Sequence, residues 1–333
     1  MTLEAKNKQI NKGLILTVFI CFSVLSFLIS LANGAVKISF KEIIDILFTE
    51  KFNENYQIIW NVRLPRTIVA SLVGTCLALS GAILQGIMRN PLAGPNIIGV
   101  SSGAGLMTLI VLILFPSHYY LAPLGSFAGA LMATLFIYFL AWQEGAAPTR
   151  LILAGVALSS LLGAGNNIIM TFYPDKVSGV IGFMVGGLSA VNWKHVTMIW
   201  PYALLGIILV MIVPNRLNIL MLGDEVATGL GLNVERTRFL FIIISSLLAG
   251  AAVSVAGLLG FVGLIVPHIT RLFIGSDYRY LLSATIFTGS ATVLLCDTLA
   301  RVMFAPVEIP VGIIMAALGA PFFLYLLRRK GEY

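Results

Sequence analysis

The groups with which proteins do acid–base, nucleophilic or metal chemistry are few and scattered in this chain. Its three histidines, His118, His195 and His268, are far apart in sequence. Its three cysteines, Cys21, Cys76 and Cys296, lie in apolar runs without CxxC or metal-ligand spacing and read as small core hydrophobes. There is no HExxH and no serine–histidine–aspartate arrangement. No GxxxxGK[ST] phosphate loop is present. Gly229-Leu-Gly231 lacks the third glycine of a dinucleotide fingerprint and follows no strand. No catalytic residue, metal site or cofactor emerges, and the chain shows no means of binding ATP itself. The polar residues that do cluster suggest contact with other proteins instead. They are the segment Asn215 to Arg238, the motif Arg63-Leu-Pro65-Arg66, and Arg301.

The elements that carry these residues are membrane helices. The chain has 333 residues, is 59% hydrophobic and only 11% charged, where a soluble domain carries about 25%. Its net charge of +7 points to cytoplasmic loops rather than nucleic acid, because Lys and Arg accumulate on that side. Runs of roughly 20 apolar residues, the length that crosses a bilayer, fall near 14–33, 66–88, 96–115, 121–141, 150–172, 196–213, 281–304 and 309–327. The first lacks a convincing signal-peptide cleavage site. The stretch from Phe239 to Ile274 is basic at both ends and too short for two full spans. With Gly257, Gly260, Gly263 and Pro267 inside it, it reads as one full span followed by a short or re-entrant one.

The expected fold is thus an all-α polytopic membrane protein, one transmembrane domain over 1–333 with about ten spans and both termini cytoplasmic. Lys6, Lys8, Lys12, Arg89, Arg150, Arg216, Arg236, Arg238, Arg271, Arg279, Arg328, Arg329 and Lys330 then lie inside. Lys37, Lys41, Lys51, Arg63, Arg66, Lys176, Lys194 and Arg301 lie outside, an unusually large set. Residues 34–62 form an outer segment. In it Ser39-Phe-Lys-Glu42 reads as a capping box, and Phe40, Ile43, Ile44, Leu47 and Phe48 give an amphipathic helix. Gly179 to Ala190 is too short to cross and reads as a second outer or re-entrant helix. Gly74 and Gly81 in one span echo Gly250 and Gly257 in another of opposite direction, which suggests an inverted repeat. Small residues at helix contacts are the plainer account of the same pattern.

Arg63, Arg66 and Arg301 are anomalous on an outer face. They snorkel to the interface, or Arg301 pairs with Asp297 one turn earlier, or the three form a basic collar for an acidic partner. Gly86 to Gly105 is a glycine- and proline-rich turn anchored by Arg89, either a plain tight loop or a shaped backbone near a pore. In residues 215–238, Leu222 to Leu232 reads as a short helix from Asp224, with acids at its positive end and a stop at Gly229 or Gly231. It is either a solvated loop or a knob for a partner's groove. Few charges lie deep in the spans, which argues against an ion-coupled carrier.

The motifs RLPR at 63–66, ALSGAILQGIMRNPLAGP at 78–95, LGDEVATGLGL at 222–232, GFVGLIVPHITR at 260–271 and EIPVGIIMAALGAPFFLYLL at 308–327 resemble those of the FecCD family. These are permeases of ABC importers for iron–siderophore complexes, haem and cobalamin, and the resemblance covers essentially the whole chain. It implies a multi-pass subunit of a bacterial cell membrane, paired with an identical or paralogous permease. Two ATP-binding cassette ATPases sit below and an extracytoplasmic substrate-binding protein above. It implies that Arg63, Arg66 and Arg301 meet acids on the binding protein. Gly223, Asp224, Glu225, Ala227, Gly229, Leu230 and Gly231 belong to the element that couples to the ATPases. Asn90 and Leu92 match the cytoplasmic gate, and Asn166 and Asn167, matched by location only, line the pathway. Iron–siderophore is the first substrate class, with haem or cobalamin as the alternative. A channel or ion-coupled carrier is the rival class, and it would show flux without ATP.

Overall fold

Hydrophobicity dictates helices here, because in a bilayer every backbone polar group must be satisfied within its own segment. The computed structural model describes residues 12–34, 36, 38–49, 55–96, 99–141 and 148–329. Lys6, Lys8, Lys37, Lys51 and Lys330 lie outside them. The helices in order are α1 (Lys12–Ala32), α2 (Phe40–Thr49), α3 (Leu64–Ile87), α4 (Val100–Leu114), α5 (Ala122–Ala141), α6 (Pro148–Phe172) and α7 (Pro174–Val185). They continue with α8 (Trp193–Ile212), α9 (Pro214–Met221), α10 (Asp224–Gly229), α11 (Val234–Ala256), α12 (Val262–Ile274), α13 (Tyr278–Val302) and α14 (Val311–Arg329). Among the described residues no strand occurs.

Among the described residues, seven helices are long and apolar enough to cross a membrane: α1, α3, α5, α6, α8, α11 and α13. Three shorter apolar ones, α4, α12 and α14, complete the ten expected spans. Phe239–Ile274 divides as expected into one long helix and one of 13 residues, about 20 Å long. The division falls at Gly257, whose φ of 72° is one that side chains rarely adopt. The unwound backbone is not left unpaired. Leu258 donates to the carbonyl of Phe183 (2.9 Å), Gly187 to that of Ala256 (3.0 Å) and Gly312 to that of Gly186 (2.9 Å). The end of α7 therefore serves as the hydrogen-bonding partner of the break.

Two local expectations shift. The short helix expected over Gly179–Ala190 is α7, five residues earlier, because Pro174 starts it and Gly186 (φ 81°) ends it. In α2, Ile43 and Ile46 are buried against Leu31 and Ile59 while Ile44 is exposed. The side chains of Phe40, Leu47 and Phe48 lie outside the described part. Ser39 Oγ accepts the Glu42 amide as a cap should, and the Glu42 carboxylate accepts from Asn55 (2.8 Å).

The core is the pair α3 and α11, joined by Ser80 and Ser245 hydroxyls at 2.8 Å. Both helices are largely buried, unlike α1, α6 and α8, of which only a small share is buried within the chain. Helices approach closely where side chains vanish. A methyl on Gly289 of α13 would stand 2.6 Å from the Gly74 carbonyl of α3, and one on Gly250 of α11 would stand 2.7 Å from Phe127 Cα of α5. Of the glycines that echo each other in sequence, Gly74 seats α13 on α3 and Gly250 seats α5 on α11, whereas Gly81 meets Gly263 of α12 and Gly257 meets Phe183 of α7, so close helix packing accounts for the pattern.

Candidate functional site

Three places gather the polar residues. The first is the end of the bundle where α1 and α13 finish and α3 begins. Arg63, Arg66 and Arg301 meet there, but they are only 4%, 5% and 4% exposed. Arg63 donates to the carbonyls of Leu31 (2.8 Å), Ala32 (3.0 Å) and Val36. Arg301 donates to the carbonyls of Ser30 (3.1 Å) and Asn33 (2.9 Å). Two guanidinium groups thus cap the C-terminal turn of α1, whose last carbonyls have no partner inside the helix. Arg66 grips Asp297 through Nη2 (2.9 Å) and Nε (3.1 Å), and Arg301 Nε reaches the same carboxylate at 3.1 Å. The remaining Arg66 nitrogen, Nη1, donates to Glu308 at 2.7 Å.

A collar of cations open to a partner is therefore not the arrangement seen. The three arginines are engaged within the chain, and the group left half-exposed is the acid Glu308. The pairing of Arg301 with Asp297 is present, and Arg66 shares it. Sequence reading did not single out Asp297 as the hub, although it is the sole acid inside any expected span. An ionisable residue in that position needs a named partner.

The second place is the opposite end, where α3 finishes and α11 and α13 begin. Residues 215–238 are almost wholly helical there. Gly223 (φ 107°) turns α9 into α10. Gly231 (φ 82°) then closes α10, donating to the Thr228 carbonyl while Leu232 donates to that of Ala227. This Schellman closure selects Gly231 from the two stops expected, Gly229 or Gly231. Ala227 is fully buried, while Glu225, Val226, Gly229 and Leu230 are exposed, as are Met221 and Leu222 before them. A short helix with an outward apolar face is what remains.

Asp224 points the other way. Arg238 of α11 donates to both its oxygens (2.7 and 2.9 Å), and Arg89 Nη2 stands 3.6 Å away. Asn90 and Leu92 lie beside Arg89 in a turn where Asn90 Oδ1 accepts the Leu92 amide at 2.9 Å and the Asn90 carbonyl accepts that of Ala93. Glu235 accepts from Tyr138 of α5 at 2.6 Å. Asn218 of α9 holds Asp277, the N-cap of α13, at 2.9 Å. The Arg279 guanidinium, helped by Asn218, holds the Asp277 carboxyl well below the usual carboxylate range. The ties from Arg89 and Tyr138 were not legible in the sequence, because their partners are more than 90 residues away.

The third place is α6 and the broken segment. Asn167 is exposed on a stripe with Ser160, Ala164 and Thr171. Its neighbour Asn166 lies about 100° around the helix. It is 3% exposed, and its Oδ1 has no hydrogen-bond partner among the described residues. Both were expected to line the pathway, and the helix turns them to different sides. Unwound backbone at membrane depth also borders a cavity of about 250 Å³ whose walls include Leu77, Pro95, Asn96, Phe261, Leu264 and Phe323.

Comparison with known proteins places the chain in a family. The profile of the FecCD transport family matches residues 21–329. The Fe(3+)-citrate import system permease protein YfmE of Bacillus subtilis is 40% identical over 326 residues, 98% of each chain. The hemin transport system permease protein HmuU of Yersinia pestis is 36% identical over 341 residues, again 98% of each. The cobalamin import system permease protein BtuC of Halobacterium salinarum is 42% identical over 275 residues, 82% of this chain and 74% of the relative. A solved metal-chelate type ABC transporter, in an inward-facing conformation, superposes with a TM-score of 0.81 at 30% identity, covering 96% of this chain and 99% of that one. By its profile match, its relatives and its fold, the chain belongs to the FecCD transport family.

Proposed function

We propose that this permease forms half of an ATP-driven import pathway for ferric chelates, moved by ATPases that grip α10. Membership of the family makes the chain an ABC permease and a multi-pass protein of the bacterial plasma membrane, not an enzyme in itself. The observation that carries the rest is α10: an exposed apolar helix of Val226 and Leu230, flanked by Leu222, on a chain with no nucleotide-binding motif. Solvent-exposed apolar groups clustered on one short helix mark a surface meant for a partner's groove. The ATPases dock there, on the inner side, through Gly223 to Gly231. The substrate-binding protein docks at the opposite end, whose shape the Arg63, Arg66 and Arg301 cluster maintains and where Glu308 is that cluster's reachable charge.

The α6 stripe bearing Asn167, rather than Asn166, faces the pathway or the second permease. Asn90 and Leu92 close the inner mouth. Iron chelates come first because the Fe(3+)-citrate permease is 40% identical where the hemin permease, at the same coverage of 98% of each chain, is 36% identical; haem and cobalamin are the alternatives.

The test is uptake by proteoliposomes holding the permease pair, its ATPases and its binding protein. Radiolabelled ferric citrate, a ferric hydroxamate, hemin and cobalamin are offered with and without ATP. ATP-dependent accumulation of a ferric chelate is expected. Accumulation of hemin or cobalamin alone would reassign the substrate, and flux without ATP would overturn the pump. In parallel, Val226→Asp with Leu230→Asp should abolish co-purification of the ATPases; retained binding would remove α10 from the interface.

A further inference from the structure

We propose that Arg89 is the positioning residue through which α10 moves the inner-mouth turn, with Asp224 as the shared carboxylate between them. Three observations carry this. Arg89 reaches the corner of α10 twice: Nη2 is 3.6 Å from Asp224 Oδ1, and a methyl on Gly223 would stand 3.3 Å from Nη1. Asp224 is held in turn by Arg238 of α11, so the carboxylate is fixed on the core helix and bridges it to the turn.

The backbone adds the third observation. Arg89 sits at φ 46°, a left-handed conformation that glycine or asparagine ordinarily takes. Its amide donates to the Gly86 carbonyl and that of Asn90 to Gln85, so it occupies the position after the α3 cap where glycine is favoured. An arginine there costs local free energy that glycine would not, so the helix end gives no reason for the side chain and its contact supplies one. The contact it makes is with α10, and the next residues along are Asn90 and Leu92. A displacement of α10 by its partner therefore pulls on the guanidinium and on the turn behind it. The exposure of both side chains, 42% and 40%, keeps the link from being permanently locked.

This inference rests on the reading of α10 as the ATPase contact and of 90–92 as the inner mouth, and the experiment separates the two. In the reconstituted complex with Cys21→Ser, Leu92→Cys is labelled with a maleimide in the presence and absence of ATP plus vanadate. ATPase co-purification and thermal stability are measured alongside. Arg89 intact, the nucleotide changes the labelling rate. Arg89→Gly relieves the left-handed strain, so thermal stability holds or rises, and co-purification is unchanged. The nucleotide-driven change in labelling nevertheless shrinks about two- to fivefold, the range an exposed ion pair supports. Arg89→Lys, which keeps the charge, restores part of it. A full nucleotide response in Arg89→Gly would overturn the linkage alone. A turn that ignores nucleotide even with Arg89 intact would overturn both the linkage and the reading beneath it.

Discussion

Replacing Gly263 by alanine should loosen the packing of α12 on α3 in a way that can be sized from the structure. The new methyl would stand 2.7 Å from the Leu77 carbonyl oxygen and 2.7 Å from Pro95 Cδ, where ordinary contact begins at 3.4 Å. Both neighbours are rigid: one is backbone in the buried middle of α3, the other a proline ring. Relief therefore requires α12 to retreat by about 0.7 Å, the difference between those distances. Leu264, one residue on, accepts from Gln85 Nε2 at 3.1 Å, and the same retreat would stretch that bond beyond hydrogen-bonding range. Overpacking of this kind costs about 1–3 kcal/mol. At ~2 °C per kcal/mol for a chain of this size, the midpoint of thermal unfolding should fall by about 2–6 °C. Gly163→Ala is the control. Nothing lies within 4 Å of a methyl there, in the interior of α6, so it should gain about 0.5–1 kcal/mol from helix propensity. Both are read by fluorescence-detected thermal unfolding in the same detergent. A Gly263→Ala protein as stable as the parent, or a Gly163→Ala protein equally weakened, would refute the reasoning.

Asp297→Ala should be among the most damaging substitutions, about 3–5 kcal/mol, because it leaves Arg66 and Arg301 buried beside each other without their shared counter-charge; folded yield after solubilisation measures it. Charge reversal at Arg63 or Arg66 should likewise lower folded yield rather than merely weaken docking, and correctly folded protein with reduced binding-protein affinity would show that the cluster opens to a partner. Glu308→Gln, at the half-exposed edge, should leave folding intact while changing binding-protein affinity by a few-fold, more at low salt where screening is weak. Asp277 has a folded pKa below its unfolded value, so its pairing with Arg279 stabilises at pH above about 4 and that contribution is lost as pH falls through the depressed value. The difference in melting temperature between the parent and Asp277→Asn should accordingly narrow below pH 4.

The sequence by itself determined the elements. Apolar runs of bilayer length admit helices and little else, glycine and proline mark where those helices stop, and local chemistry alone narrowed the end of α10 to Gly229 or Gly231 and the break to the stretch from Gly257 to Pro267. Family motifs, too, lie in contiguous residues and survive without knowledge of the fold. Partnership was decided only by tertiary structure. Whether an arginine at a helix end is a free cation or a buried brace depends on what packs beside it. Arg66 meets Asp297 across 231 residues, and Arg89 meets Asp224 across more than a hundred. Asn166 and Asn167, adjacent in sequence, were parted by the rotation of one helix residue. Charge, spacing and hydropathy are properties of the chain. Burial is a property of the neighbours, and burial is what turned an expected docking collar into the internal clasp that joins α1, α3 and α13.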